Sequence, residues 1–161
     1  MSDSNNWLEE CYQSYRKFCI DNEVFRKAAW TKADGDHTHC LFDAQKISNY
    51  DIDDNDKQGY GGDKGTWFCA SCFEELIKHH NVKVEKNTIL SIENALRRFS
   101  NVIISLNNEQ YFLKNKDEKI TVKHNGVRKS YDSILSMERE QLFYGKVLRE
   151  IIDDIFVGFV D

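Results

Sequence analysis

Two short segments hold the residues whose types and spacing could do chemistry: DHTHCLFDAQKIS at 36–48 and GTWFCASCFEELIKHH at 65–80. Cys69 and Cys72 form a C-x-x-C pair, and a tight turn brings thiolates three residues apart onto one tetrahedral ion. The first segment offers a second pair in either of two registers, His37-x-x-Cys40 or Cys40-x-x-Asp43, with His39 between them. Structural zinc takes sulfur and imidazole ahead of carboxylate. The expected ligands of a Zn2+ ion are therefore Cys40, Cys69, Cys72 and His37, with His39 and Asp43 as alternates for the fourth position. His39 could instead orient a ligand by a hydrogen bond from outside the shell. Four protein ligands close the shell, so the metal would stabilise the fold and leave no position for a substrate. Completion by Asp43 or by water would open the site to Lewis-acid chemistry.

These residues need a particular local frame. Trp67 and Phe68 read as strand and FEELIKHH as helix, which puts Cys69 in a turn and Cys72 in the first helical turn, where the macrodipole favours thiolate. Knuckle, hairpin and helix in that order make a treble-clef-like module. Between the two segments, DIDDNDKQGYGGDKG reads as a solvated turn. Asp51, Asp53 and Asn55 alternate as in a calcium loop, but the places that would require Gly and Glu hold Asp56 and Gly62. His79 and His80 end the helix, where basic residues are already favoured, and read as surface groups.

Around the module, Trp7, Leu8, Cys11, Tyr12, Tyr15, Phe18 and Cys19 recur at helical spacing, predicting an amphipathic helix within residues 4–29. Cys11 and Cys19 lie on that stripe as small hydrophobes. Ile89, Ile92, Leu96 and Phe99 predict a second helix. The strands NVIISL, EQYFLK, EKITVKH and VRKSYD follow, separated at Asn107-Asn108, Lys116-Asp117 and Asn125-Gly126. Tyr144, Val147, Leu148, Ile151, Ile152 and Ile155 predict a closing helix from Asp132 to about Phe156. The expected fold class is α+β: an N-terminal helix at 1–29, a treble-clef-like zinc module at 30–82, and an α+β region at 83–161 holding an antiparallel meander with flanking helices. The three regions are expected to pack as one compact unit.

The chain of 161 residues carries 22 Lys and Arg against 27 Asp and Glu, a net charge of −5 that argues against a phosphate-backbone binder. No run reaches the length of a membrane span, and the acidic, polar N-terminal stretch is unlike a signal peptide, so a cytoplasmic location is expected. Five cysteines without a disulfide-framework spacing agree with reduced thiols and metal ligation.

Asp36, His37, His39, Cys40, Phe42, Lys46, Ile47, Gly59, Tyr60, Trp67, Cys69, Cys72 and Phe73 resemble the pattern of a group of small bacterial proteins, D-H-x-H-C-x-F-C, then G-Y, then W-x-C-x-x-C-F. Where that pattern has its second knuckle cysteine, this chain has Asp43. Such small acidic proteins are similar to immunity proteins encoded beside bacterial toxins. That likeness implies toxin neutralisation and a protein partner such as a basic toxin domain, and the closed four-ligand shell adds the expectation that the chain is not an enzyme. Steering by opposite charge would suit Asp51, Asp53, Asp54 and Asp56, or Glu150, Asp153 and Asp154, to that task. A competing resemblance is to the HNH nucleases, which would make His37 the water-activating base and His39 a metal ligand. A third reading is a regulatory zinc module that recruits protein or nucleic acid.

Overall fold

The structure is a computed structural model and describes residues 4–32, 36–48, 55–99 and 101–160. The chain divides into two compact units, the first built from residues 1–26 and 32–85 and the second from 27–31 and 86–161. The fold is α+β throughout.

The first unit begins with helix α1 (Ser4–Tyr15), which is shorter than the apolar spacing predicts. Leu8 and Tyr12 are buried, but Phe18 is 83% exposed, so the stripe loses its cover after one face of the helix has been used. Asn22 turns its amide back onto the Lys17 carbonyl (2.6 Å), and the chain leaves extended at Glu23. That conformation serves a buried carboxylate. Glu23 Oε1 accepts the backbone N–H groups of Lys64 (3.0 Å) and Thr66 (3.1 Å), while Oε2 accepts the Thr66 hydroxyl. Strand β1 (Phe25–Ala29) follows where helix was expected.

Strands β2 (His37–His39) and β3 (Lys46–Ser48) pair antiparallel, with Thr38 opposite Ile47. Strands β4 (Gln58–Gly62) and β5 (Trp67–Phe68) form a second hairpin, joined to β1 in the order β1–β4–β5. Gly59 cannot be replaced without displacement, because a Cβ there would lie 2.4 Å from the Phe68 carbonyl oxygen. Helix α2 (Ala70–His79) follows and buries Cys72, Phe73 and Leu76 on one face. Knuckle, hairpin and helix thus stand in treble-clef order.

The second unit is built on five antiparallel strands in the order β10–β6–β7–β8–β9. These are β6 (Asn101–Leu106), β7 (Glu109–Lys116), β8 (Lys119–His124), β9 (Val127–Tyr131) and β10 (Phe156–Val160). The meander expected from the turn residues is present. Each of its hairpins turns through two left-handed residues: Asn107-Asn108, Asp117-Glu118 and Asn125-Gly126. The middle turn lies one residue later than the sequence suggests. Helix α3 (Ile89–Arg98) starts at Thr88, whose hydroxyl accepts the Ser91 N–H (3.1 Å), and it buries Ile92, Ala95 and Leu96. These pack with Val102, Ile104, Leu113, Ile120 and Val122 in one core.

The single closing helix is replaced by α4 (Ile134–Glu138), α5 (Leu148–Ile151) and strand β10. Tyr144 and Gly145 both adopt positive φ, which no continuous helix can accommodate, yet Leu148, Ile151 and Ile155 still reach the core. Phe156 begins β10, pairing with Ser105 of β6. Among the described residues, no helix is long and apolar enough to cross a membrane.

Candidate metal centre

The knuckle is shaped by backbone bonds before any side chain acts. Cys40 donates its N–H to the Gln45 carbonyl (2.8 Å), Ala44 donates to the Cys40 carbonyl (3.0 Å), and Ala44 takes a left-handed φ of 62°. Asp43 Oδ1 accepts the Gln45 N–H at 2.9 Å, an Asx turn that curls the segment forward from Cys40. Leu41 then donates to the Trp67 carbonyl (2.9 Å), which holds the knuckle against β5. From β5 the chain passes into Cys69, the extended residue that opens α2, and Phe73 closes the first turn onto the Cys69 carbonyl (3.1 Å).

The result is a cluster of Cys40, Asp43, Cys69 and Cys72 whose ligand atoms all lie within 4.8 Å of one another. The three sulfurs are buried and no disulfide joins them, while Asp43 is exposed. Sulfurs held about 2.3 Å from one tetrahedral ion stand roughly 3.7 Å apart, so this spacing fits a single metal ion. The donor set also fits, because three thiolates and a carboxylate match zinc better than a hard cation such as magnesium. Asp43 Oδ2 stands 3.4 Å from Cys69 Sγ.

Within the cluster the three thiols perturb one another's ionisation. Hydrogen bonds from the Cys40 and Cys72 thiols pull Cys69 well below the ordinary thiol range, with the Ser71 hydroxyl assisting. Cys69 in turn pushes Cys40 up to about 11, and hydrogen bonding to Cys40 and Cys69 pushes Cys72 up as well. A cation placed among the sulfurs relieves that competition, since each can then carry its own charge.

The structure brings Cys40, Cys69 and Cys72 together as the sequence spacing predicts, and the fourth group in the cluster is Asp43. His37 and His39 lie exposed on β2, their rings 4.9 Å apart, and neither belongs to the four-residue cluster. An aromatic layer packs beside the thiols: Phe68 meets Phe42 edge-on at 5.0 Å, and Tyr60 stacks on Phe73 at 4.1 Å. His80 is not a free surface group. It bonds Glu9 Oε2 at 2.7 Å and stacks on Tyr12 at 3.6 Å, tying α1 to the end of α2. The role of Glu23 escapes sequence reasoning altogether, because nothing in the spelling marks one glutamate as the anchor of a turn some forty residues away.

Comparison with protein-family models, with curated proteins and with solved structures finds no match to this chain.

Proposed function

We infer that the chain is a zinc-stabilised binding protein, and that it serves as an immunity protein neutralising a bacterial toxin. The observation that carries the first half is the convergence of Cys40, Asp43, Cys69 and Cys72 around one point. Asp43 at the fourth place is the case expected to open the site, but bound together with the three cysteines it would still make four protein donors, and three electron-rich thiolates make a poor Lewis acid of whatever ion they hold. A stapling ion is the role that suits such a shell.

Support for the second half comes from the resemblance of residues 36–73 to the pattern of small bacterial proteins and from the net charge of −5, which would steer a basic toxin domain. Of the acidic residues nominated for that surface, Asp51, Asp53 and Asp54 lie outside the described residues. Asp153 and Asp154 are exposed after α5, Glu150 accepts the Val147 N–H at 2.8 Å, and Asp56 is half-buried beside β3.

Metal and thiol analysis of the purified protein tests the zinc, with one ion per chain expected. Co-expression with the product of the adjacent gene tests the role: restored growth supports neutralisation. Plasmid cleavage with added magnesium that is lost in His37→Ala would replace this reading with the nuclease one.

A further inference from the structure

The cations of the second unit are not evenly distributed. Strand alternation sends Tyr111, Leu113, Ile120 and Val122 into the core and their neighbours to the opposite face of the sheet. On that face the register aligns Phe112 with Lys123 and Lys123 with Arg128, then Lys114 with Thr121, then Lys116 with Lys119. Lys114, Lys116, Lys119, Lys123 and Arg128 are all exposed. Among the described residues, no side-chain hydrogen bond or ion pair engages any of them. Strands β6 to β9 place no Asp or Glu on this face. Glu109 sits on the core side of β7, and Asp117 and Glu118 belong to the turn beyond the strands. Phe112 is 44% exposed in the midst of these charges. A groove of about 330 Å³ opens there, lined by Asn101, Phe112, Thr121, Lys123 and Arg128 among others.

We propose that this sheet face binds single-stranded nucleic acid. A chain of net charge −5 has gathered five cations on one face of a sheet, with the neighbouring acids Asp117 and Glu118 confined to the turn at one end. That is the electrostatic complement of a phosphodiester backbone, and local charge, not the average, governs such contacts. The exposed ring selects the form of the polyanion. A phenyl face among lysines on an open sheet is a stacking platform for an unpaired base, whereas a duplex keeps its bases inside and an acidic polypeptide offers none. The surface lies wholly within the second unit and does not depend on the metal centre.

Fluorescence anisotropy of a labelled oligouridylate 20-mer, with the intact chain at low salt, is the test. Binding is expected, with a slope of log K against log salt of about −3, since each neutralised phosphate on a single strand contributes roughly −0.7. Lys123→Glu with Arg128→Glu should weaken binding at least tenfold and flatten the slope by more than one. Phe112→Ala should cost about fivefold or more while leaving the slope unchanged. Lys129→Glu removes a cation from the core side of the same strand and should change affinity far less. Circular dichroism confirms that each variant is folded. Absence of binding to the intact chain overturns the proposal. So does equal affinity for duplex, indifference to Phe112→Ala, or equal competition by polyglutamate, which would identify the face as a site for acidic protein.

Discussion

The backbone N–H of Leu41 donates to the carbonyl of Trp67 at 2.9 Å, and this bond sets the knuckle against the strand that delivers Cys69. Each side of the metal centre is locally competent: residues 40–45 curl through their own hydrogen bonds, and Cys69 and Cys72 are fixed by the start of α2. The Leu41–Trp67 bond, the aromatic packing of Phe42 on Phe68 and the approach of Asp43 Oδ2 to Cys69 Sγ at 3.4 Å help to hold the halves in register. A metal ion held by Cys40, Asp43, Cys69 and Cys72 would add direct bonds from each half to one point and so close the unit.

Removing the ion should therefore unfold the first unit. The binding energy of a structural zinc, roughly 10–16 kcal/mol in small metal-dependent modules, is comparable to the whole ~5–15 kcal/mol stability of a typical domain. Treatment with a strong chelator should abolish the cooperative thermal transition of the first unit, and zinc should restore it. Cys72→Ser should reproduce the loss. A transition unchanged by chelation would mean that packing alone closes this unit.

The identity of the fourth ligand can be read by cobalt substitution. Asp43→Cys should strengthen metal binding and add thiolate-to-cobalt charge-transfer intensity, because sulfur replaces oxygen at a corner already in place. Asp43→Ala should weaken binding about 10- to 100-fold, a loss of the size that follows removal of a supporting group at other metal sites. His37→Ala should leave the spectrum unaltered, since His37 lies exposed on β2. A spectrum that responds to His37→Ala but not to Asp43→Ala would move the fourth corner back to the imidazole.

The contrast between His37 and Asp43 shows how far residue types alone can carry a reading. Donor chemistry ranks imidazole above carboxylate, but the direction of the backbone decides which group arrives. His37 is fixed in the β2–β3 ladder, whereas the Asx turn at Asp43 curls forward over Cys69. The C-x-x-C was legible because its geometry is local, and so were the hairpins at Asn107-Asn108 and Asn125-Gly126, where the residues themselves favour left-handed φ. The closing segment misled because Leu148, Ile151 and Ile155 face the core equally well from a helix or from a broken chain. Nothing local announces Tyr144 in a left-handed conformation. The cationic sheet face was hidden for another reason: net charge averages over the surface, and only the strand register separates Lys123 and Arg128 from the acids elsewhere.

Glu118 occupies the second position of its hairpin turn at φ 68°, where a side chain costs about 1–2 kcal/mol relative to an extended or right-handed backbone. The equivalent place in the following hairpin is Gly126, at φ 76°. Glu118→Gly should therefore stabilise the second unit by about 1 kcal/mol, after allowing for the greater freedom of glycine in the unfolded chain. The gain should show as a raised urea midpoint at unchanged slope. A fall in the midpoint would mean that the Glu118 side chain makes a contribution the turn geometry does not reveal.

Glu138 gives the second unit a pH dependence of its own. Burial, and then its hydrogen bond to Glu93, push its carboxyl up to about 7, against the partial opposition of Arg149 and Arg97. Near pH 4 the carboxyl is largely protonated whether the chain is folded or not. Between about pH 4.5 and 7 the folded protein retains a proton that the unfolded chain has released, so stability falls as pH rises through that window and levels off above it. Discounted for solvent screening at a half-buried site, the total change is about 1–2 kcal/mol. Glu138→Gln keeps the hydrogen-bonding shape without the ionisation and should flatten the dependence while raising stability at pH 8. The measurement is the urea midpoint of the second unit between pH 4 and 8 for both proteins. Parallel curves would place the responsible group elsewhere.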